Sequence, residues 1–272
     1  MTKILFIVPP NLSYEKYTNP AENTRQVRKA DGHLYGNLAT DMPIGILSMS
    51  AYLKAQVSDL DIRMVDFNIE LNALERFDAT SFADYFSAFL AARCADFTPD
   101  IVGVSSLFSP SYFNLLDLGR CARALFPDAL VVAGGSVPSS MYFHVLKNCP
   151  DFDALCYGEG ERPLLQLVQA EDRQAYLAAS PSWITAAKIA RGETFAHDFV
   201  DDLDELLRAL AHPTRRWIVR RCLDDWVAAG DLVGESELAA ATVSEHLKVL
   251  RKTGLVELRA VREGVGVDAF VA

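Results

Sequence analysis

DIVGVSSLFS (residues 100–109), SYFNLLDLGRCARALF (111–126) and ALVVAGG (129–135) decide the fold of the first part of this chain. The first and last are short, nearly all-apolar runs, the signature of strands buried on both faces. The middle one carries its apolar residues at helical spacing. Strand, helix, strand of this kind is the repeating unit of a parallel sheet, joined by right-handed crossovers. Working outward, KILFIV (3–8) is a first strand that Pro9 and Pro10 terminate, and a polar segment, 11–42, reads as a long loop. IGILSMSAYLKAQ (44–56) reads as helix and DIRMVDFN (61–68) as the second strand. Residues 72–97 read as helix with a break near 78–80, and 140–148 as a short helix. FDALCYGEGE (152–161) is a fifth strand with a glycine turn, and RPLLQLVQA (162–170) a closing helix. The fold class is α/β: a doubly wound parallel sheet with the flavodoxin-like strand order 2-1-3-4-5. Ligands in such sheets bind at the carboxyl ends of the strands, at the switch between the first and third. That edge collects Pro9, Pro10, Asn11, Asp66, Asn68, Ser105, Ser106, Gly134, Gly135, Ser136, Gly158, Glu159 and Gly160.

Composition narrows the functional classes. Half the residues are apolar, enough for a core in each of two domains. No run reaches the roughly 18 apolar residues that a membrane span needs. The N-terminal apolar run lacks a small-residue cleavage site, so it reads as a strand and not a signal peptide, and a cytoplasmic location is expected. The five cysteines have neither paired spacing nor the C-x-x-x-C-x-x-C spacing of an iron–sulfur ligand set, which argues against a disulfide framework. The net charge of −10 does not suggest a nucleic-acid binder. Its distribution is uneven: residues 1–200 carry 16 Lys+Arg and 23 Asp+Glu, residues 206–272 carry 10 and 9, and Asp201, Asp202, Asp204 and Glu205 lie between. Any affinity for nucleic acid must come from a local basic face.

Residues 171–205 read as a polar connector, which divides the chain into domains at 1–170 and 206–272. In the second domain, HPTRRWIVRRCL (212–223) starts a helix with Pro213 in its first turn. In TVSEHLKVLRKTGLVELR (242–259), Val243, Leu247 and Leu250 recur at i, i+4 and i+7 and face inward. Gly254 suits the left-handed cap that ends such a helix. LVELRAVREGVGVDAFVA (255–272) reads as a hairpin turning at Glu263–Gly266.

Six segments in order, VPPN (8–11), DMPIGILSMSAYLK (41–54), VDFN (65–68), DIVGVSS (100–106), VVAGGSVPS (131–139) and YGEGERPLLQLV (157–168), resemble the cobalamin-binding domain that precedes many radical-SAM barrels. The resemblance implies cobalamin as cofactor, with the corrin ring over the carboxyl edge of the sheet and the nucleotide tail in a groove. It implies that Pro10 and Asn11 belong to the site, that Ser105 and Ser106 line the tail groove, that Gly134, Gly135 and Ser136 face the tail or ring edge, and that Gly158 and Glu159 close the far side. Two departures matter. The D-x-H-x-x-G motif, whose His ligates cobalt in methionine-synthase-like relatives, is absent; of the five histidines only His33, in the long loop, is a candidate near the site. The barrel with its cluster cysteines is also absent, so radical methyl transfer by this chain alone is not expected. On composition alone, Gly and Ser at strand ends also suit any α/β protein.

The second domain resembles the ArsR family of winged helix-turn-helix proteins: A-x-P-T-R-R near its start (211–216), T-V-S-x-H-L-K-V-L in the recognition helix (242–250) and G-L-V-E at the wing (254–257). The resemblance implies double-stranded DNA as partner. It puts Thr242, Ser244, His246 and Lys248 in the groove, and Arg251, Lys252, Arg259 and Arg262 on phosphates, with Arg215 and Arg216 as further basic residues. The Cys-x-Cys metal motif of the arsenic and cadmium sensors is absent, Ala239 stands where a Ser usually caps the recognition helix, and the last dimerisation helix of many relatives is not seen. Three readings follow. The favoured one is a cobalamin-binding, DNA-binding transcriptional regulator with no catalysis and no catalytic or metal-ligating residue of its own, acting as a homodimer. The others are the cobalamin-binding part of a radical-SAM methyltransferase or cyclase, and a fusion of uncoupled halves.

Overall fold

The computed structural model describes residues 1–196, 209–222, 226–236, 238–256, 258–262 and 267–271. The chain forms two compact units, Met1–Asp198 and Phe199–Ala272. The acidic run at 201–205 and the wing turn at 263–266 lie outside the described residues.

The first unit runs β1 (Thr2–Val8), α1 (Tyr14–Thr18), β2 (Gln26–Arg28), β3 (Leu34–Gly36), α2 (Ile44–Gln56), β4 (Leu60–Asp66), α3 (Phe67–Ala73), α4 (Phe82–Arg93), β5 (Ile101–Ser105), α5 (Tyr112–Leu125), β6 (Leu130–Gly134), α6 (Ser136–Asn148), β7 (Ala154–Cys156), α7 (Glu161–Gln169), α8 (Arg173–Ala179), β8 (Trp183–Ile184) and α9 (Ala186–Ala190). The sheet order is β4-β1-β5-β6-β7-β8. Its first five strands are parallel and give the flavodoxin-like order. Side-chain alternation sorts the core into two layers. Leu5, Ile7, Val102, Val104, Val131 and Ala133 pack with residues of α3, α4, α5 and α6. Ile4, Phe6, Ile101 and Val132 face the other way, onto α2, α7 and α8.

Two segments depart from the expected outline. The expected connector carries α8, β8 and α9 in its described part, and β8 pairs antiparallel with β7. Trp183 and Ile184 are buried on opposite faces of the sheet. The fully buried Lys188 donates from Nζ to the carbonyl oxygens of Leu177 (2.8 Å), Ser180 (2.5 Å) and Trp183 (2.9 Å). This buried polar residue ties α9 to the end of α8 and to β8, while the pairing with β7 joins the segment to the sheet. The long loop 11–42 similarly contains α1 and the β2–β3 hairpin. Its Tyr17 and Tyr35 join Phe77 and Phe82 in an aromatic cluster. Lys29 Nζ donates to the carbonyl oxygens of Leu71, Asn72 and Leu74, at the end of α3. Burial lowers the pKa of both lysines.

The second unit contains α10 (Pro213–Arg221), β9 (Val227–Ala228), α11 (Ala229–Ser236), α12 (Ala240–Lys252), β10 (Leu258–Arg262) and β11 (Val267–Val271). The three strands form a sheet in the order β10-β11-β9. Ile218, Val219, Cys222, Leu232, Val243, Leu247 and Leu250 are buried, so the inward set expected for α12 is the one observed. Pro213 opens α10, where His212 Nδ1 accepts from the Thr214 N–H at 3.2 Å. Gly254 (φ +69) closes α12: its N–H donates to Arg251 O and the Leu255 N–H to Leu250 O, the paired bonds of a Schellman cap.

Candidate functional site

A pocket of about 150 Å³ opens at the carboxyl ends of β1, β4 and β5, where the chain order switches direction. Its floor is Val8, Pro9, Asp66 and Asn68. One wall is the segment Ala39–Ile46, and the other is Ser105–Phe108 with Ser111. Asp66 ends β4 and caps α3: its Oδ1 accepts from the Asn68 N–H (2.8 Å) and from Asn68 Nδ2 (2.9 Å). Asn68 also donates to Pro9 O and accepts from the Asn11 N–H, while Asn11 Nδ2 donates to Ala39 O. Burial pushes the Asp66 carboxyl above the usual carboxylate range, against the opposing pull of its bonds to Asn68.

The wall after β5 is held by hydroxyls. Ser106 is buried, and its Oγ lies 2.6 Å from Ser111 Oγ, which donates to Phe108 O. Ser136 Oγ donates to Leu107 O. The result is an apolar lip, Leu107 and Phe108, about half exposed at the pocket mouth. The two glycines after β6 differ. Gly135 has φ +99°, and a Cβ there would stand 2.5 Å from Ser106 O; at Gly134 the nearest atom would be Cys156 Cβ at 3.7 Å. Gly135 is therefore required by the chain's own packing, and Gly134 leaves room for something else.

Of the residues expected to contact the ligand, Asn11, Ser105 and Ser106 line this pocket, and Pro10, Gly134, Gly135, Ser136, Gly158 and Glu159 do not. Pro10 is buried, its carbonyl accepting from Asn114 Nδ2. Gly158 (φ +87) turns the chain after β7, where its N–H donates to Ser139 Oγ. His33 is exposed in the β2–β3 turn, away from the pocket. Asp41, Leu107 and Phe108 are pocket residues that the sequence reading did not place at the site, whereas Asp66 and Asn68 were placed on the sheet edge but given no part in holding the ligand.

In the second unit, Thr242, Ser244, Lys248, Arg251 and Lys252 are exposed along α12, and Lys248 Nζ lies 4.0 Å from Glu245. His246 is different. Its ring is half-buried, 4.4 Å between centroids from His212, and its pKa is lowered by burial, then by His212 and Arg215. Arg215 Nε donates to Ala209 O, and Arg216 Nη1 to Leu210 O and Ala211 O, so both arginines hold the chain entering α10. Arg259 and Arg262 lie on β10. Ala239 precedes α12 with no side-chain cap. Among the described residues no group of three or more His, Cys, Asp or Glu side chains is placed to hold a metal ion, and no helix is long and apolar enough to cross a membrane.

Residues 37–168 match the model of the B12 binding domain, and residues 212–257 that of the arsR family of bacterial regulatory proteins. The chain joins a B12-binding domain to an arsR-family helix-turn-helix. Among curated proteins, the anaerobic magnesium-protoporphyrin IX monomethyl ester cyclase of Rubrivivax gelatinosus is 38% identical over 80 residues, 29% of this chain and 14% of that protein. The cyclase of the same name from Cereibacter sphaeroides is 29% identical over 127 residues, 47% of this chain and 19% of that protein. Cytidylyl-2-hydroxyethylphosphonate methyltransferase of Streptomyces wedmorensis is 38% identical over 73 residues, 26% and 13% of the two chains. The chain thus spans under a fifth of each of these relatives.

Proposed function

We propose that this protein is a cobalamin-binding, DNA-binding transcriptional regulator of the cytoplasm, without catalytic activity of its own. The observation that carries this reading is the presence, in one chain, of a B12-binding domain and an arsR-family helix-turn-helix. The first unit suits a corrinoid: a pocket at the switch point, an apolar lip at its mouth, and at Gly134 an edge that lets a bulky ligand approach the backbone. Asn11, Ser105, Leu107 and Phe108 would hold its edge, with Gly134 giving clearance. When bound, cobalamin supplies an exchangeable, light-sensitive upper cobalt ligand that can serve as a signal. In the second unit, Thr242 and Ser244 on α12 would read bases while Lys248, Arg251, Lys252, Arg259 and Arg262 meet phosphates. His246 would act on sequence preference through the pose of α12, since its ring packs on His212.

Regulation requires that cobalamin and DNA alter each other's affinity by one common factor. Cobalamin-dependent dimerisation would place two helix-turn-helix units on a palindromic site. The test is DNA affinity of the full chain with and without hydroxocobalamin, in dark and light, alongside sedimentation. A several-fold change in affinity is expected. Identical affinity and identical mass under every condition would reject coupling and leave two independent modules. A second reading rests on the relatives: as the cobalamin-binding part of a cyclase or methyltransferase, the chain would need a separate radical-SAM subunit. It would then bind cobalamin but show no duplex-DNA affinity above that of an Arg251→Ala, Lys252→Ala variant.

A further inference from the structure

We infer that the pocket selects corrinoids whose rim carries neutral amides over tetrapyrroles whose rim carries carboxylates, with Asp66 as the specificity-determining residue. The inference rests on the cobalamin reading and adds to it the chemistry of the ligand's edge. A volume of about 150 Å³ is well below the roughly 300–1,000 Å³ of pockets that enclose a whole small molecule. It therefore receives one arm of a larger ligand, whose ring lies on the Leu107–Phe108 lip. The residues around that arm include two carboxylates, Asp66 and Asp41, and no Lys, Arg or His.

Most of the pocket's donors are already used; one N–H of Asn11 Nδ2 and the Ser105 hydroxyl are left for a ligand. Asn68 Nδ2 donates to Pro9 O and Asp66 Oδ1, and Asn11 Nδ2 to Ala39 O. The hydroxyls of Ser106 and Ser111 are engaged with each other and with Phe108 O. An incoming carboxylate would meet negative charge with few donors to offset it, whereas a primary amide brings its own N–H groups. Asp66 is only 5% exposed, and its burial raises the cost of its charge; a donor from the ligand offsets that cost. Specificity of this kind works by rejection as much as by attraction.

The experiment titrates the full chain with dicyanocobinamide and with dicyanocobyrinic acid, which carry the same metal ligands but amide or carboxylate arms. Binding at neutral pH is followed by absorbance and by cobalt retained after gel filtration. The wild type should prefer the amide by at least about tenfold. Asp66→Asn should bring the ratio towards one, mainly by tightening the acid, and the exposed Asp41→Asn should change it less. Asn and Ser both cap helices, so Asp66→Ser provides a second folded variant, checked by its melting curve. Equal affinity of the wild type for both compounds, or an unchanged ratio in both Asp66 variants, overturns the inference. Failure of the wild type to bind either compound or hydroxocobalamin rejects the cobalamin reading and this inference with it, whereas binding of hydroxocobalamin alone overturns this inference and leaves that reading standing.

Discussion

The carboxyl edge of the parallel sheet and the outer face of α12 both carry small polar residues in family-like order, and they use them in opposite ways. At the sheet edge, the buried Ser106 and the exposed Ser136 both bond back onto the chain and pin the 107–111 loop. On α12, Thr242, Ser244 and Lys248 stand in solvent on a helix fixed from below by Val243, Leu247 and Leu250. The first region shapes a cavity by spending its hydrogen bonds on itself. The second is a rigid rod that displays its polar groups. A motif residue in the first region therefore acts mainly through the shape it imposes, and one in the second acts by direct contact.

Four measurements would break or sharpen that contrast. The largest effect belongs to the paired glycines. Gly135→Ala should lower unfolding free energy by about 2 kcal/mol or more, because it adds backbone strain to a clash with Ser106 O. Gly134→Ala should stay within about 0.5 kcal/mol in chemical denaturation, while Gly134→Phe should weaken cobalamin binding without unfolding the chain. Equal destabilisation by the two alanines would remove the distinction between the two positions. Next, Arg251→Ala with Lys252→Ala should lower DNA affinity for all sequences alike. It should also reduce the slope of log K against log salt by about 1.8, at about 0.9 for each phosphate no longer neutralised; an unchanged slope would take both residues off the interface. Third, Ala239→Ser should stabilise the second unit by up to about 1 kcal/mol by supplying the missing cap, read as a raised melting temperature.

The smallest effect is a pH dependence. Asp66 titrates above its ordinary value in the folded chain, so between the unfolded and folded pKa the native state holds the extra proton. Stability then falls as pH rises through that window. Asp66→Asn removes the titration and keeps the cap. The stability of the variant relative to wild type should therefore rise across that window and be flat on either side. A difference of the opposite slope would mean that the carboxylate is favoured by the fold.

Four of the five parallel strands were legible as apolar runs closed by Pro, Gly or Ser, and the edge strand β4 as an alternation of Ile62, Met64 with Asp61, Arg63. The inward face of α12 was legible from helical spacing, and Gly254 from the residue type its cap demands. What escaped has a common cause. β8 is two residues long, and Lys188, which holds backbone carbonyls around it, looks in sequence like a solvated charge. The β2–β3 hairpin lies in a polar loop whose aromatic residues pack with residues some 40 to 65 positions away. At the site, a residue's presence on the sheet edge could be read, but the direction of its hydroxyl could not. Ser106 looks like Ser105 in the sequence; burial and the bond to Ser111 separate them. Arg215 and Arg216 look alike in the sequence as basic residues, and only the structure shows that they also hold the carbonyls at 209–211.

The pairing of β8 with β7 also decides where the first unit can be cut. A chain shortened after residue 170 would leave one side of β7 as an unpaired edge and strip Trp183 from the layer beneath α7. Bare edges of that kind recruit strands from other molecules. Such a fragment should come out of expression as aggregate, while one ending at residue 196 keeps its own last strand and is the shorter piece worth purifying.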